Sequence, residues 1–132
     1  KFVSAYSASG LTPDGSSSYF LAKHVGLLRA KELLLTNRVL TAEEACQWGM
    51  VSRVVPAVEL ATEARKLAET FAAGPTKAYG GIKKLLQTAY SETFETQLDR
   101  ETRSISAMMR THDGPHGLDS FLDKQAPSFK GR

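Results

Sequence analysis

The run Val25-Gly26-Leu27-Leu28-Arg29-Ala30-Lys31-Glu32-Leu33-Leu34-Leu35-Thr36-Asn37-Arg38 decides how this chain is read. Gly26 breaks one apolar segment and a second begins at once, so two helices are expected to meet at a glycine. The leucines of the second crowd several faces, which predicts a deeply packed helix. Toward the N-terminus, Asp14-Gly15-Ser16-Ser17-Ser18 precedes Tyr19-Phe20-Leu21-Ala22, and Asp14 stands where a helix N-cap would satisfy free backbone N–H groups. The Ser-, Gly- and Pro-rich stretch from Ser7 to Gly15 reads as a loop. Phe2 to Tyr6 has β character and begins abruptly, as a strand already under way, which is the expectation for a chain truncated at its N-terminus.

Toward the C-terminus, Thr41-Ala42-Glu43-Glu44 is a capping-box pattern opening a short helix that Gly49 closes. Val51 to Val55 is β-like and Pro56 ends it. Leu60, Ala64, Leu67, Ala68 and Phe71 then recur at helical spacing, and Gly74-Pro75 stops that helix. Ile82, Leu85, Leu86 and Ala89 mark another, and Phe94, Leu98, Ile105, Met108 and Met109 a longer one. Pro115 to Lys124 can form one more. The expected fold is predominantly α with a short β entry, divided into residues 1–55 and a helical region 56–132.

The 132 residues are 42% hydrophobic, enough for a modest core. Seventeen basic against 14 acidic residues give a net charge of +3, spread along the chain. That distribution argues against nucleic acid, which calls for a basic face or a recognisable motif. No apolar run approaches the roughly 20 residues needed to cross a bilayer, so no membrane partner is expected. The single cysteine, Cys46, excludes an intramolecular disulfide and fits a reducing compartment, with the cytoplasm the simplest address. Cys46 has no neighbouring His or Lys to activate it and reads as a buried, inert thiol.

Four stretches in order, Ser9-Gly10-Leu11-Thr12-Pro13-Asp14-Gly15, Val25 through Arg38, Thr41-Ala42-Glu43-Glu44-Ala45 through Trp48-Gly49-Met50-Val51, and Phe121-Leu122-Asp123-Lys124 to Phe129-Lys130-Gly131-Arg132, together resemble the C-terminal half of the enoyl-CoA hydratase/isomerase (crotonase) superfamily. The resemblance implies the end of a βαβ spiral over residues 1–55 and a helical oligomerisation region over 56–132. It further implies an acyl-CoA thioester substrate, assembly as a homotrimer or a hexamer built as a dimer of trimers, and no permanently bound cofactor, coenzyme A entering as part of the substrate. Its shared chemistry is a thioester enolate held by two backbone N–H donors, and the resemblance places both before Lys1. The fragment alone is therefore expected to be inactive.

Asp14 is the catalytic candidate. Double-bond isomerisation needs one group that removes a proton beside the carbonyl and returns it two carbons away, and a carboxylate serves both steps. Pro13 and Gly15 flank it in a rigid turn that would aim it at a pocket, and with Tyr6 they are the expected pocket residues. Tyr6 stands where family hydratases carry a glutamate, which disfavours a two-glutamate water addition. The family's 4-chlorobenzoyl-CoA dehalogenases have an aromatic residue there and an Asp nucleophile at the turn, so dehalogenation is the alternative reaction. A non-catalytic helical oligomerisation module is the alternative of another kind. Phe121, Lys124, Phe129 and Lys130 are the expected coenzyme A contacts, aromatic for the base and cationic for the phosphates. His112, Asp113 and His116 read as a surface loop interrupted by Gly114-Pro115, and no metal site is expected. His24, near the end of its helix, suits the macrodipole there.

Overall fold

Gly26 and the Gly74-Pro75 pair divide the apolar runs where expected, and the computed structural model, which describes residues 1–132, is built of seven helices. The chain forms two units, Lys1–Val58 and Glu59–Arg132. In the first, a 3-10 turn at Ser7–Ser9 leads to α1 (Ser17–Val25), α2 (Leu27–Thr36) and α3 (Ala42–Gln47). Between α1 and α2, Gly26 adopts φ 82° and ψ 158°, a region closed to residues with a Cβ. Thr41 Oγ1 accepts from Glu44 N at 3.1 Å and the Glu44 carboxylate accepts from Thr41 N at 3.0 Å, the capping box at the start of α3. The core is small: Leu33, Leu40 and Ala45 are buried, with Leu21, Trp48, Met50 and Val51 partly buried around them.

A salt-bridged brace fastens the outside of this cluster. Arg38 lies 2.6 Å from Glu32 and 3.1 Å from Glu44, and its guanidinium stacks 4.8 Å from the Trp48 ring, with Arg29 4.9 Å from the same ring. The hydrogen bond to Glu32 raises the pKa of Arg38 above its ordinary value despite the opposing effect of burial. The Thr41 backbone N–H, with Arg38, holds the Glu44 carboxyl below its ordinary value.

The short β entry does not form. A strand exists through its ladder, and here the ladder is one antiparallel bridge in which Phe2 and Leu40 exchange both backbone bonds at 2.8 Å. The β-like run Val51–Val55 is likewise irregular. β-branched residues supply a preference that only a neighbouring strand can satisfy. Nor is α2 deeply packed: Ala30 and Leu33 are buried, whereas Leu27, Leu28 and Leu35 are 63%, 83% and 72% exposed.

The second unit contains α4 (Leu60–Ala72), α5 (Thr76–Thr88), α6 (Phe94–Met108) and α7 (Asp113–Leu122). Phe71 and Tyr79 meet edge to face at 5.7 Å across the Gly74-Pro75 turn. Gln97 ties α6 to α5, donating to the Leu85 carbonyl at 3.1 Å and accepting from Thr88 Oγ1 at 2.9 Å. The apolar stripes predicted for these helices are present but uncovered, with Leu60, Phe71, Ile82, Leu98 and Ile105 all exposed. Total accessible surface is 9900 Å². One compact chain of this mass would show about 6,800 Å² and two separate compact units roughly 8,200 Å². The exposed apolar side chains of these helices contribute to the excess.

Candidate functional site

Asp14 is not the cap of α1. That position belongs to Ser16, at φ 63° and without a side-chain capping bond. Asp14 contributes its backbone carbonyl, which accepts from Ser17 N at 2.9 Å and Ser17 Oγ at 2.7 Å. With Gly15 and Ser16 both at positive φ, the helix is capped two residues later than the sequence suggested and the Asp14 carboxylate is released from capping. It accepts instead from the Tyr6 hydroxyl, at 2.7 Å to Oδ1. Tyr6 and Pro13 are half-buried beside it; Asp14 and Gly15 are exposed.

The turn holding Tyr6 is itself anchored. The Tyr6 carbonyl accepts from Ser9 N at 3.0 Å and Leu11 N at 2.9 Å. Ser7 Oγ donates to the Leu34 carbonyl at 2.8 Å, and Asn37 Nδ2 donates to Ser7 Oγ at 2.7 Å. The C-terminal end of α2 thus supports the loop that carries the carboxylate. Sequence reasoning missed both the Tyr6–Asp14 bond and this support, because eight and 30 residues separate the partners.

A cavity of about 560 Å³ opens beside α1, lined by Phe2, Val3, Phe20, Leu21, Leu33 and Met50 among others, with His24 at its edge. It is mostly apolar and includes neither Asp14 nor Tyr6.

The other expected contacts lie in the second unit. Phe121 is 77% exposed, and Lys124, also exposed, adopts φ 56°. Phe129 is half-buried, its ring 6.3 Å from that of His116. Lys130 is exposed, but its backbone is not free. The His112–His116 segment, expected as a surface loop, is the start of α7: Pro115 falls in the first helical turn, where a missing N–H costs nothing. Asp113, 4% exposed, accepts from Lys130 N at 2.8 Å and Gly131 N at 2.7 Å, with His112 Nδ1 3.1 Å away. His112 N in turn donates to the Arg132 carbonyl at 2.8 Å, and Ser128 N to His116 Nε2 at 3.0 Å. Burial alone would push the Asp113 carboxyl up, but the two amides and His112 bring it below its ordinary value. The clasp holds the segment that carries Phe129 and Lys130. Cys46, expected to be buried, is only half-buried. No group of three or more His, Cys, Asp or Glu is placed to hold a metal ion, and no helix is long and apolar enough to cross a membrane.

Comparison with known proteins gives one consistent result. The chain is 39% identical over 132 residues to the 1,2-epoxyphenylacetyl-CoA isomerase of Escherichia coli, covering all of this chain and 50% of that protein. It is 39% identical over 127 residues to the 4-chlorobenzoyl coenzyme A dehalogenase-1 of an Arthrobacter species, covering 96% of this chain and 46% of the relative. Among solved structures, an enoyl-CoA hydratase from Polaromonas superimposes with a TM-score of 0.89 at 32% identity, over 98% of this chain and 50% of that one. An enoyl-CoA hydratase/isomerase from Mycobacterium abscessus gives 0.91 at 30%, over 97% and 49%. The chain thus spans about half the length of the relatives it matches, and the expectation of a C-terminal half reduces to that statement. The enoyl-CoA hydratase/isomerase family pattern matches residues 1–132, and the chain belongs to that family.

Proposed function

We propose that the full-length enzyme moves a double bond in an enoyl-CoA thioester, with Asp14 as the proton shuttle. The observation that supports this most directly is that the Asp14 carboxylate is spared from helix capping and held at Oδ1 by Tyr6. The carboxylate takes the proton from the carbon beside the thioester carbonyl, and the electron pair delocalises onto the thioester oxygen as a dienolate. The protonated Asp14 then returns the proton at the γ carbon, leaving the α,β-unsaturated thioester with atoms and charge balanced. The donors that stabilise the enolate oxygen come from protein outside these residues. Tyr6, Pro13 and Gly15 line the pocket around the carboxylate. Phe121, Lys124, Phe129 and Lys130 meet the nucleotide end of coenzyme A, and the enzyme is a trimer or a dimer of trimers, in keeping with the uncovered helix faces.

The test is D14N in the full-length enzyme with vinylacetyl-CoA. Asn keeps the shape and the backbone bonds, so a loss of about a hundred- to ten-thousandfold in kcat is expected with little change in KM. Retained turnover refutes the shuttle. Alanine at both Lys124 and Lys130 is expected to raise KM for the thioester and leave kcat unchanged; an unchanged KM removes them from the coenzyme site.

The likeness to a 4-chlorobenzoyl-CoA dehalogenase favours one second reading. There the Asp14 carboxylate attacks the ring carbon, halide leaves, and water cleaves the resulting aryl ester. Incubation with 4-chlorobenzoyl-CoA and intact-mass analysis separates the two, since only this route leaves an aryl adduct on Asp14.

A further inference from the structure

Resting on the reading of Asp14 as the shuttle, we infer that Tyr6 is its positioning residue: the phenol holds Oδ1 so that Oδ2 alone carries the proton between the two substrate carbons. A carboxylate on a short arm still turns about two side-chain torsions, and unheld it samples orientations in which neither oxygen faces the reacting carbon. The 2.7 Å bond from the Tyr6 hydroxyl to Oδ1 restricts that freedom.

Both ends of the bond are fixed independently of each other. The Tyr6 backbone is held by Ser9 N and Leu11 N, and the turn is braced through Ser7 to the Leu34 carbonyl and Asn37 at the end of α2. The Asp14 backbone is held by Ser17 N and Ser17 Oγ at the start of α1. Phenol and carboxylate meet because two separate anchors bring them together, not because either side chain happens to reach. An oxygen already accepting a short hydrogen bond is the poorer base, so proton exchange falls to Oδ2. A hydrogen-bond donor at position 6 therefore suits a one-carboxylate shuttle, which takes and returns the same proton without reorienting.

Y6F, D14N and the double variant in the full-length enzyme, assayed with vinylacetyl-CoA, test this. Y6F keeps the ring and removes the donor; kcat is expected to fall about ten- to a hundredfold with KM unchanged. In the D14N background Y6F is expected to have no further effect, because Tyr6 acts only through the carboxylate. If D14N abolishes turnover while Y6F leaves kcat intact, or if Y6F also lowers the residual rate of D14N, the positioning role is overturned and the shuttle stands. If D14N retains turnover, or the unsubstituted enzyme leaves vinylacetyl-CoA unchanged, the shuttle itself falls and this role falls with it.

Discussion

Replacing Leu40 with alanine tests whether the first unit is organised around its small cluster. Leu40 has no accessible surface and packs with Leu33 and Ala45, both buried. The substitution removes three carbons, worth roughly 2.4 kcal/mol at about 0.8 kcal/mol each. A sealed cavity would add up to about 2 kcal/mol more. Leu21, Trp48, Met50 and Val51 are only partly buried, so they can close over the gap and most of the cavity term disappears. The bridge to Phe2 survives, because it uses backbone atoms of Leu40 alone. The expected loss is about 2.5 to 3 kcal/mol, near the floor for buried leucines. Urea unfolding of the full-length protein, followed by far-UV circular dichroism, should show a midpoint lowered by roughly 1 to 2 M at unchanged slope. A loss below about 1 kcal/mol would refute the cluster as the organising core; one above about 4 kcal/mol would show that its half-buried wall is sealed in the whole protein.

Two other outcomes follow from backbone and charge. G26A should destabilise by about 1 to 3 kcal/mol, since nothing lies within 4 Å of the added Cβ and the whole cost is φ 82°; G80A, in the open interior of α5, should stabilise by about 0.4 to 1 kcal/mol, and thermal melts of both check the contrast. Asp113 binds its proton less readily folded than unfolded, so the clasp is fully stabilising above the ordinary carboxylate range and is lost as pH falls through the lower folded value. Hydrogen exchange at the Lys130 and Gly131 amides should accelerate relative to neighbouring amides across that acid window, and D113N should abolish the difference.

Most of the helical architecture was legible because it rests on local signals: the capping box at Thr41 and Glu44, the break at Gly26 and the periodic stripe from Leu60 to Phe71 each act within a few residues. What was not legible depends on partners distant in sequence. The β character of Phe2 to Tyr6 and Val51 to Val55 is a preference awaiting neighbouring strands. The exposure of Leu28 and Leu35 could not be read from α2, whose apolar faces are the same whether covered or not. Asp14 was visible as a candidate, but its release from capping depends on the positive φ of Ser16, a residue that composition does not mark for that conformation. Asp113 reads from sequence as part of a surface loop because Gly114-Pro115 resembles a break, whereas proline in a first turn marks a beginning.

Trp48, pressed between Arg29 and Arg38 at the edge of the Leu33–Leu40–Ala45 cluster, is the one tryptophan of these 132 residues and lies wholly within the first unit. Its emission therefore reports on the unit that carries Asp14, whereas α4 through α7 hold most of the helical residues and dominate the signal in circular dichroism. Coincident transitions by the two probes would mean that the units melt as one cooperative body. Separated transitions would mean that the carboxylate-bearing unit has a stability of its own, one that can be tuned without touching the helices beyond Val58.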